Sequence, residues 1–162
     1  MIKLYHPERC NKKERMVQMS RFKKLTHSIY ECKYHIVFCP KYRHRILKDE
    51  IAEYCKSQIY HLCRQKELLE IIELNIQPDH IHIILSIAPK YSVSSIMGYL
   101  KGKLSLNLFQ RYEKLGKRYW GRHLWSRGYC VSTVGLNEHE ICEYVKWQEK
   151  KEKEIEQTQL AL

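Results

Sequence analysis

The segment 72–87 constrains the fold most, because apolar and polar residues alternate on both sides of a turn dipeptide. From Ile72 to Gln77 every second residue is apolar, and the same period continues from His80 to Ile87 after Pro78-Asp79. Side chains of a strand point alternately to its two faces, so this period predicts two strands with one apolar face each. Proline followed by aspartate is typical of a tight turn. The segment therefore predicts an antiparallel β-hairpin onto which the rest of the chain must pack.

Two histidines begin the second predicted strand, on the face opposite its apolar residues. His80 and His82 are separated by one residue, so both imidazoles point to the same side. The residues at 81, 83, 85 and 87 form the apolar face. Imidazole is a common metal ligand, although an isolated pair of this kind is more often incidental than metal-binding. Asp79 could orient the neighbouring imidazole, but a plain turn residue is the simpler interpretation.

The spacing of apolar residues predicts two further strands and two helices. Residues 32–38 carry an apolar face at 32, 34, 36 and 38 and end at Pro40, which predicts a strand before the hairpin. Asp49 and Glu50 begin an amphipathic helix with apolar residues at 51, 54, 55, 59, 62 and 63. After the hairpin, Ser92–Ser95 cap a helix over 92–115 whose core face is at 96, 100, 104 and 108. Residues 129–134 are rich in strand formers and predict a fourth strand.

A final helix is predicted after the fourth strand, where Asn137 and Glu140 form a capping box. Tyr144 and Gln148 are four residues apart in this helix, so they share one face. Most tyrosines are packing residues, and this chain has 12 of them. The complete order, β-α-β-β-α-β with one helix appended, predicts an α+β protein of the ferredoxin-like class with an antiparallel sheet.

Positive charge is concentrated in two blocks of the chain. The net charge is +11; residues 1–48 hold 13 Lys/Arg against 3 Glu, and residues 101–127 hold 8 against 1. Such asymmetry favours a polyanionic partner, most commonly nucleic acid, with solubility as the plain alternative. Six basic residues in or beside predicted elements are the candidates for nucleic-acid contacts: Lys33, Arg43, Lys101, Lys103, Arg122 and Arg127.

Length and composition predict one globular domain. The 162 residues are 44% hydrophobic, and we expect a domain over 26–155 between a basic, flexible extension at 1–25 and a tail at 156–162. No apolar run approaches the ~20 residues of a membrane span, and the N-terminus has no signal-peptide pattern. Seven cysteines without a CxxC pair predict free, mostly buried thiols in a reducing, cytoplasmic environment.

Five blocks of the chain, taken in order, resemble single-tyrosine HUH transposases. The blocks are KYHIVFCPKYR, PDHIHIIL, SVSSIMGYLKGKLS, LWSRGYCVSTVG and YVKWQ, from about Thr26 to Gln148. They are most similar to transposase A of the insertion-sequence 200/605 family, in its insertion-sequence 200-like branch. The resemblance implies that His80, His82 and Gln148 hold a metal and that Tyr144, the catalytic residue, is the nucleophile. It implies cleavage and rejoining of single-stranded DNA with hairpin ends, at the ends of an insertion sequence, through a 5′-phosphotyrosine intermediate.

Cofactor and partner expectations follow from this resemblance. Mg²⁺ is the expected metal, with Mn²⁺ and zinc left open by the ligand types. No nucleotide cofactor is expected, because the phosphotyrosine conserves the bond energy. The resemblance also implies a homodimer with composite active sites in the prokaryotic cytosol or nucleoid. Two alternatives stay open: a domesticated HUH nuclease or nickase that processes genomic hairpin repeats, and a non-catalytic ferredoxin-like module that binds single-stranded nucleic acid.

Overall fold

The computed structural model describes residues 22–135, apart from the side chain of Trp120, and divides the chain into two compact units at Glu31/Cys32. In the first unit, strands β1 (Lys23–Lys24) and β2 (Ile29–Tyr30) pair in antiparallel fashion. Lys23 and Lys24 belong to the extension predicted to be flexible, so the end of that extension contributes one strand of a small hairpin that the sequence did not predict.

A four-stranded antiparallel sheet forms the centre of the second unit. Its strands are β3 (Lys33–Phe38), β4 (Leu69–Gln77), β5 (His80–Ile87) and β6 (Cys130–Thr133). Their order across the sheet is β4-β5-β3-β6, so the first and third strands of this unit are central and the other two are edges. This is the ferredoxin-like arrangement. The predicted α+β, ferredoxin-like class is therefore confirmed, and Pro78-Asp79 joins β4 to β5 as the sequence predicted. The final helix predicted after the fourth strand lies outside the described residues.

Two long helices pack on one face of the sheet. Helix α1 spans Asp49–Arg64 and helix α2 spans Val93–Arg111. The hydroxyl of Ser92 accepts a hydrogen bond from the backbone N–H of Ser95 at 3.1 Å, which confirms the predicted cap. Between the helices and the sheet lies the hydrophobic core, which includes every predicted core position of α2 and these strand residues: Ile36, Phe38, Ile81, Ile83, Leu85 and Ile87.

The helix predicted over 92–115 is interrupted at Tyr112. This residue leaves helical geometry (φ −121°, ψ 81°), and a short helix α3 (Glu113–Arg118) follows. The Tyr112 hydroxyl donates to the carbonyl oxygen of Glu50 at 3.2 Å, and its ring lies 5.8 Å from that of Tyr54. Contacts with α1 therefore hold Tyr112 outside the helix, and a pattern within α2 alone could not reveal them.

The register of β4 shifts between Ile71 and Glu73. Ile71 lies opposite Leu85, while Glu73 lies opposite Ile84, so Ile72 is the extra residue of a β-bulge. The prediction that Ile72 continues the apolar face of the strand is therefore wrong. The bulge lets apolar residues on both sides of it, at 71, 74 and 76, pack against the core.

Five of the seven cysteines lie within the described residues, and all five are free thiols as predicted, although only two of the five are buried. Cys55 and Cys63 are buried, and burial raises the pKa of both to about 12, so these thiols are protonated at neutral pH. Cys130 is exposed on β6, and the other two are half-buried. Over residues 22–135, no helix is long and apolar enough to cross a membrane.

Candidate active site

The two histidines of β5 lie on the sheet face opposite the helices, where the alternation of the strand predicted them. Cross-strand pairing places Gln77 opposite His80, and Asn75 opposite His82. This face is polar and yet buried: Asn75 is 4%, Gln77 5% and His82 8% exposed. Buried polar groups are costly unless they are hydrogen-bonded, so the partners of these side chains define the site.

Asp79 joins His80 to Arg43. One carboxylate oxygen, Oδ1, lies 2.6 Å from Nδ1 of His80, and the other, Oδ2, accepts from Nε of Arg43 at 3.1 Å and lies 2.8 Å from Nη2. Burial alone would raise the pKa of Asp79, but the hydrogen bonds and charges of His80 and Arg43 outweigh it and lower the pKa. Asp79 is therefore ionised at neutral pH and accepts the Nδ1–H of His80. The interpretation of Asp79 as a plain turn residue is wrong, because its carboxylate orients the imidazole.

His82 is hydrogen-bonded to a third histidine. Its Nδ1 lies 3.0 Å from Nε2 of His35 on β3, and the two rings stack at 5.3 Å with an angle of 11°. Burial, followed by repulsion from His80 and His35, lowers the pKa of His82 to about 4. Burial also lowers the pKa of His35. Both imidazoles are therefore neutral at pH 7, and a metal-ligating imidazole must be neutral as well.

The free nitrogens of this pair suit a metal. The Nδ1 atoms of His80 and His82 are occupied by Asp79 and His35, so among the described residues the Nε2 atoms remain available, and the rings of His80 and His82 lie 4.9 Å apart. Residues 22–135 contain no group of three or more His, Cys, Asp or Glu side chains suited to a metal ion. A metal at the two histidines would therefore need a ligand of another type or from another segment. Tyr144 and Gln148 lie outside the described residues, and their predicted roles stay predictions.

Four of the six predicted nucleic-acid contacts line one groove of ≈ 1350 Å³. The groove lies between α2 and residues 122–127 and includes Lys101, Lys103, Arg122 and Arg127. All of these except Lys101 are exposed. Lys33 lies on β3, on the same face as His35, and Arg43 is bound to Asp79. Four of the six basic residues thus line one groove, and the other two, Arg43 and Lys33, lie outside it.

Lys101 differs from the other basic residues of the groove because its ammonium group binds backbone carbonyls. Nζ donates to the carbonyl oxygens of Ser126 at 2.6 Å, Arg127 at 3.0 Å and Gly128 at 3.3 Å. Lys101 therefore holds the loop that leads into β6. Trp125, in the same loop, is buried and packs edge-on against Phe38 at 5.0 Å, so its role is structural.

Three polar residues of this face are not singled out by the sequence. His35 alternates with the apolar residues of its strand, and Asn75 and Gln77 alternate with those of theirs. In the structure Nε2 of Gln77 donates to Oδ1 of Asn75 at 2.8 Å beside the histidines. The alternation of each strand does place all three residues on its polar face, which could have indicated that they lie on the same face as the histidines. Their meeting depends on the pairing of β3, β4 and β5, which the sequence does not state.

The family model described as "Transposase IS200 like" matches residues 28–148 of this chain. The chain belongs to the IS200-like transposase family. This IS200-like transposase is 46% identical over 135 residues to the transposase for insertion sequence element IS200 of Salmonella typhimurium, covering 83% of this chain and 88% of the relative. It is 34% identical over 125 residues to the ISDra2 transposase TnpA of Deinococcus radiodurans, covering 76% and 89%.

Two solved structures resemble the IS200-like transposase. A crystal structure of a Deinococcus radiodurans R1 protein, described there as a transposase, has a TM-score of 0.65 at 31% identity and covers 78% of this chain and 97% of its own. A REP-associated tyrosine transposase bound to a REP hairpin has a TM-score of 0.57 at 13% identity, covering 80% and 73%. At that identity the second likeness shows a common fold alone.

Proposed function

We propose that this IS200-like transposase cleaves and rejoins single-stranded DNA at the hairpin ends of an insertion sequence, with Tyr144 as nucleophile and a divalent metal at the paired histidines. The observation that carries the proposal is the pair of imidazoles on β5. Within residues 22–135, each has its Nδ1 bound to a neighbouring side chain and its Nε2 without a hydrogen-bond partner, with His82 buried and His80 half-buried. A protein that only binds DNA has no need of this arrangement.

The metal would be held by Nε2 of His80 and of His82, with the amide oxygen of Gln148 as the third ligand. A bound Mg²⁺ or Mn²⁺ supplies polarisation of the phosphoryl oxygens and stabilises the charge that develops on them. The protein keeps the two imidazoles in place. Asp79, itself fixed by Arg43, holds the ring of His80, and its negative charge makes Nε2 of that imidazole a stronger electron-pair donor to a metal.

The chemistry assigned to Tyr144 balances without a nucleotide cofactor. Its phenolic oxygen forms a bond to the scissile phosphorus while the bond from phosphorus to the 3′ oxygen breaks. The phenolic proton is lost to solvent, and the 3′ oxygen takes up a proton to become a hydroxyl. In the rejoining step a 3′-hydroxyl attacks the phosphotyrosine, and the phenol regains a proton as it leaves. One phosphodiester is therefore exchanged for another.

DNA binding is assigned to the exposed cations of the groove. Lys103, Arg122 and Arg127 offer charge to a phosphate backbone over one continuous surface. The structural relative bound to a REP hairpin shares the fold, and hairpin ends are extended to this chain as part of the proposal. We further propose a two-fold homodimer in which the helix bearing Tyr144 completes the site of the partner.

The direct test is incubation with labelled single-stranded ends of the element and Mg²⁺, followed by a denaturing gel. Wild-type protein should form a covalent 5′ adduct and release a free 3′-hydroxyl. Tyr144→Phe should form none while binding the DNA normally, and Tyr60→Phe, a partly exposed tyrosine on α1, should behave as wild type. An adduct with Tyr144→Phe would refute the nucleophile assignment.

Two further variants test the metal and the dimer. His80→Ala should lose Mg²⁺-dependent cleavage, and unchanged cleavage would exclude His80 as a ligand. If the sites are composite, a mixture of His80→Ala and Tyr144→Phe proteins should recover part of the cleavage that each lacks alone. No recovery from a mixture shown to contain mixed dimers would place the tyrosine and the histidines of one site in the same subunit.

A further inference from the structure

The contact between His35 and His82 carries information about which nitrogen of His82 is free. The 3.0 Å separation of Nε2 of His35 from Nδ1 of His82 is a hydrogen-bond distance, so one proton lies between the two nitrogens. The rings are nearly parallel, and His35 lies diagonally across from His82 in the β3–β5 register. The contact between the rings of His35 and His82 therefore depends on the pairing of β3 with β5, which sets the distance between them.

Two arrangements of that proton are possible, and only one leaves His82 able to bind a metal. If His82 donates from Nδ1 to Nε2 of His35, its own Nε2 keeps a lone pair. If His35 donates from Nε2 instead, the proton of neutral His82 must lie on Nε2, and no lone pair remains for a metal. We propose that His35 is a positioning residue that accepts the Nδ1–H of His82 and so presents Nε2 of His82 to the metal.

The chemical character of this partner also suits the substrate. Metal-binding histidines commonly donate their second N–H to a carboxylate, a carbonyl oxygen or water. His80 follows that pattern with Asp79, whereas His82 uses a neutral imidazole. A second carboxylate here would add a negative charge beside a site that must accept a DNA phosphate, and like charges repel strongly at short range in a poorly solvated site. His35 orients its ligand without adding that charge.

This inference rests on the proposed function, because it assumes a metal at His80 and His82. Its test is the binding of Mn²⁺ to the full chain, measured by electron paramagnetic resonance, together with the ring tautomer of His82 by ¹⁵N NMR of the metal-free protein. His35→Phe keeps a ring of similar size and removes the acceptor. We expect Mn²⁺ to bind roughly 10–100-fold more weakly and the Nδ1–H form of His82 to lose its predominance.

Three further variants make the result decisive. His35→Gln can place an amide oxygen near the position of Nε2, so it should retain most of the affinity, whereas the shorter His35→Asn should lose it. This comparison holds even if His35→Phe folds poorly. His61→Phe changes an exposed histidine of α1 and should bind Mn²⁺ as the wild type does.

The outcomes separate this inference from the proposed function. If His80→Ala binds Mn²⁺ as tightly as the wild type, the metal site itself is wrong. If His80→Ala loses Mn²⁺ while His35→Phe and His35→Asn both keep full affinity, the metal site stands and the role of His35 is refuted. A metal-free wild type whose His82 carries its proton on Nε2 would also refute it.

Discussion

Replacement of Lys101 by methionine should destabilise the fold and leave the electrostatic part of DNA binding unchanged. Methionine keeps most of the apolar stem and removes the ammonium group that donates to three carbonyl oxygens at 2.6, 3.0 and 3.3 Å. The sequence grouped this lysine with DNA-contacting residues. Its geometry predicts instead that its main contribution is to the loop at 126–128.

The magnitude follows from the number and setting of these hydrogen bonds. A hydrogen bond to a charged group contributes about 1.5–3 kcal/mol, but three bonds that share one donor group are not additive. Burial lowers the pKa of Lys101, and this loss of hydration of the ammonium group offsets part of the stability that its hydrogen bonds contribute. Arg127 and Gly128 are exposed, so water can reach the carbonyl oxygens after the substitution. We therefore expect the free energy of unfolding to fall by roughly 1–2 kcal/mol.

Urea denaturation followed by circular dichroism measures this loss, and Lys103→Met is the matched control. Lys103 lies two residues away on the same helix, lines the same groove and is exposed, so its loss should change stability by less than about 0.5 kcal/mol. Salt titration of single-stranded DNA binding separates the two roles. Removal of a phosphate contact lowers the slope of log K against log salt by about 0.7, which we expect for Lys103 only. An unchanged urea midpoint with a reduced salt slope for Lys101→Met would refute the structural role.

Burial of His82, the cap of α2 and the exposure of two cysteines each have a measurable consequence. The free energy of unfolding should decline as the pH falls from 6.5 towards about 4, because His82 takes up a proton near pH 6.5 in the unfolded chain and only near pH 4 in the folded one, where its ring is buried. Urea denaturation at several pH values should show a shallower decline for His82→Gln than for the wild type. Parallel curves for the two proteins would contradict this. Ser92→Ala should cost about 1 kcal/mol in the same assay, since it removes the cap of α2, and no loss would show that the cap contributes nothing. In native protein, maleimide labelling read by peptide mass spectrometry should modify Cys130 rapidly and Cys55 only after denaturation; rapid native labelling of Cys55 would show that its burial is not maintained.

The spacing of apolar residues along the chain predicted the strands and the two long helices well. Alternation placed His80 and His82 on the face away from the helices, and helical spacing identified the core positions of α2. These features depend on residues close in sequence, whose geometry is fixed by the strand or helix itself. The break at Tyr112 and the bulge at Ile72 were not predictable in this way, because the period within one element shows neither its contacts with other elements nor its register against them.

The partners of the metal-ligand candidates were harder to foresee than the candidates themselves. Arg43 and Asp79 are 36 positions apart, and His35 and His82 are 47 apart. Each pair meets only after a particular strand order and register are adopted, and a single sequence leaves both open. For Lys101 the residue was a candidate from the sequence but its partner was wrong, because charge alone does not reveal whether an ammonium group faces a phosphate or a backbone carbonyl.

The central position of β5 has a consequence for the solubility of the chain. Its sequence, HIHIILSI, contains no proline, no glycine and no permanently charged side chain, which is the composition of segments that stack into cross-β aggregates. Hydrogen bonds to β3 on one edge and to β4 on the other leave the strand no open edge in the native sheet. Detachment of either neighbour would expose a long, uncharged edge to other chains. The strand that carries the candidate ligands is therefore also the segment most in need of protection during synthesis and refolding.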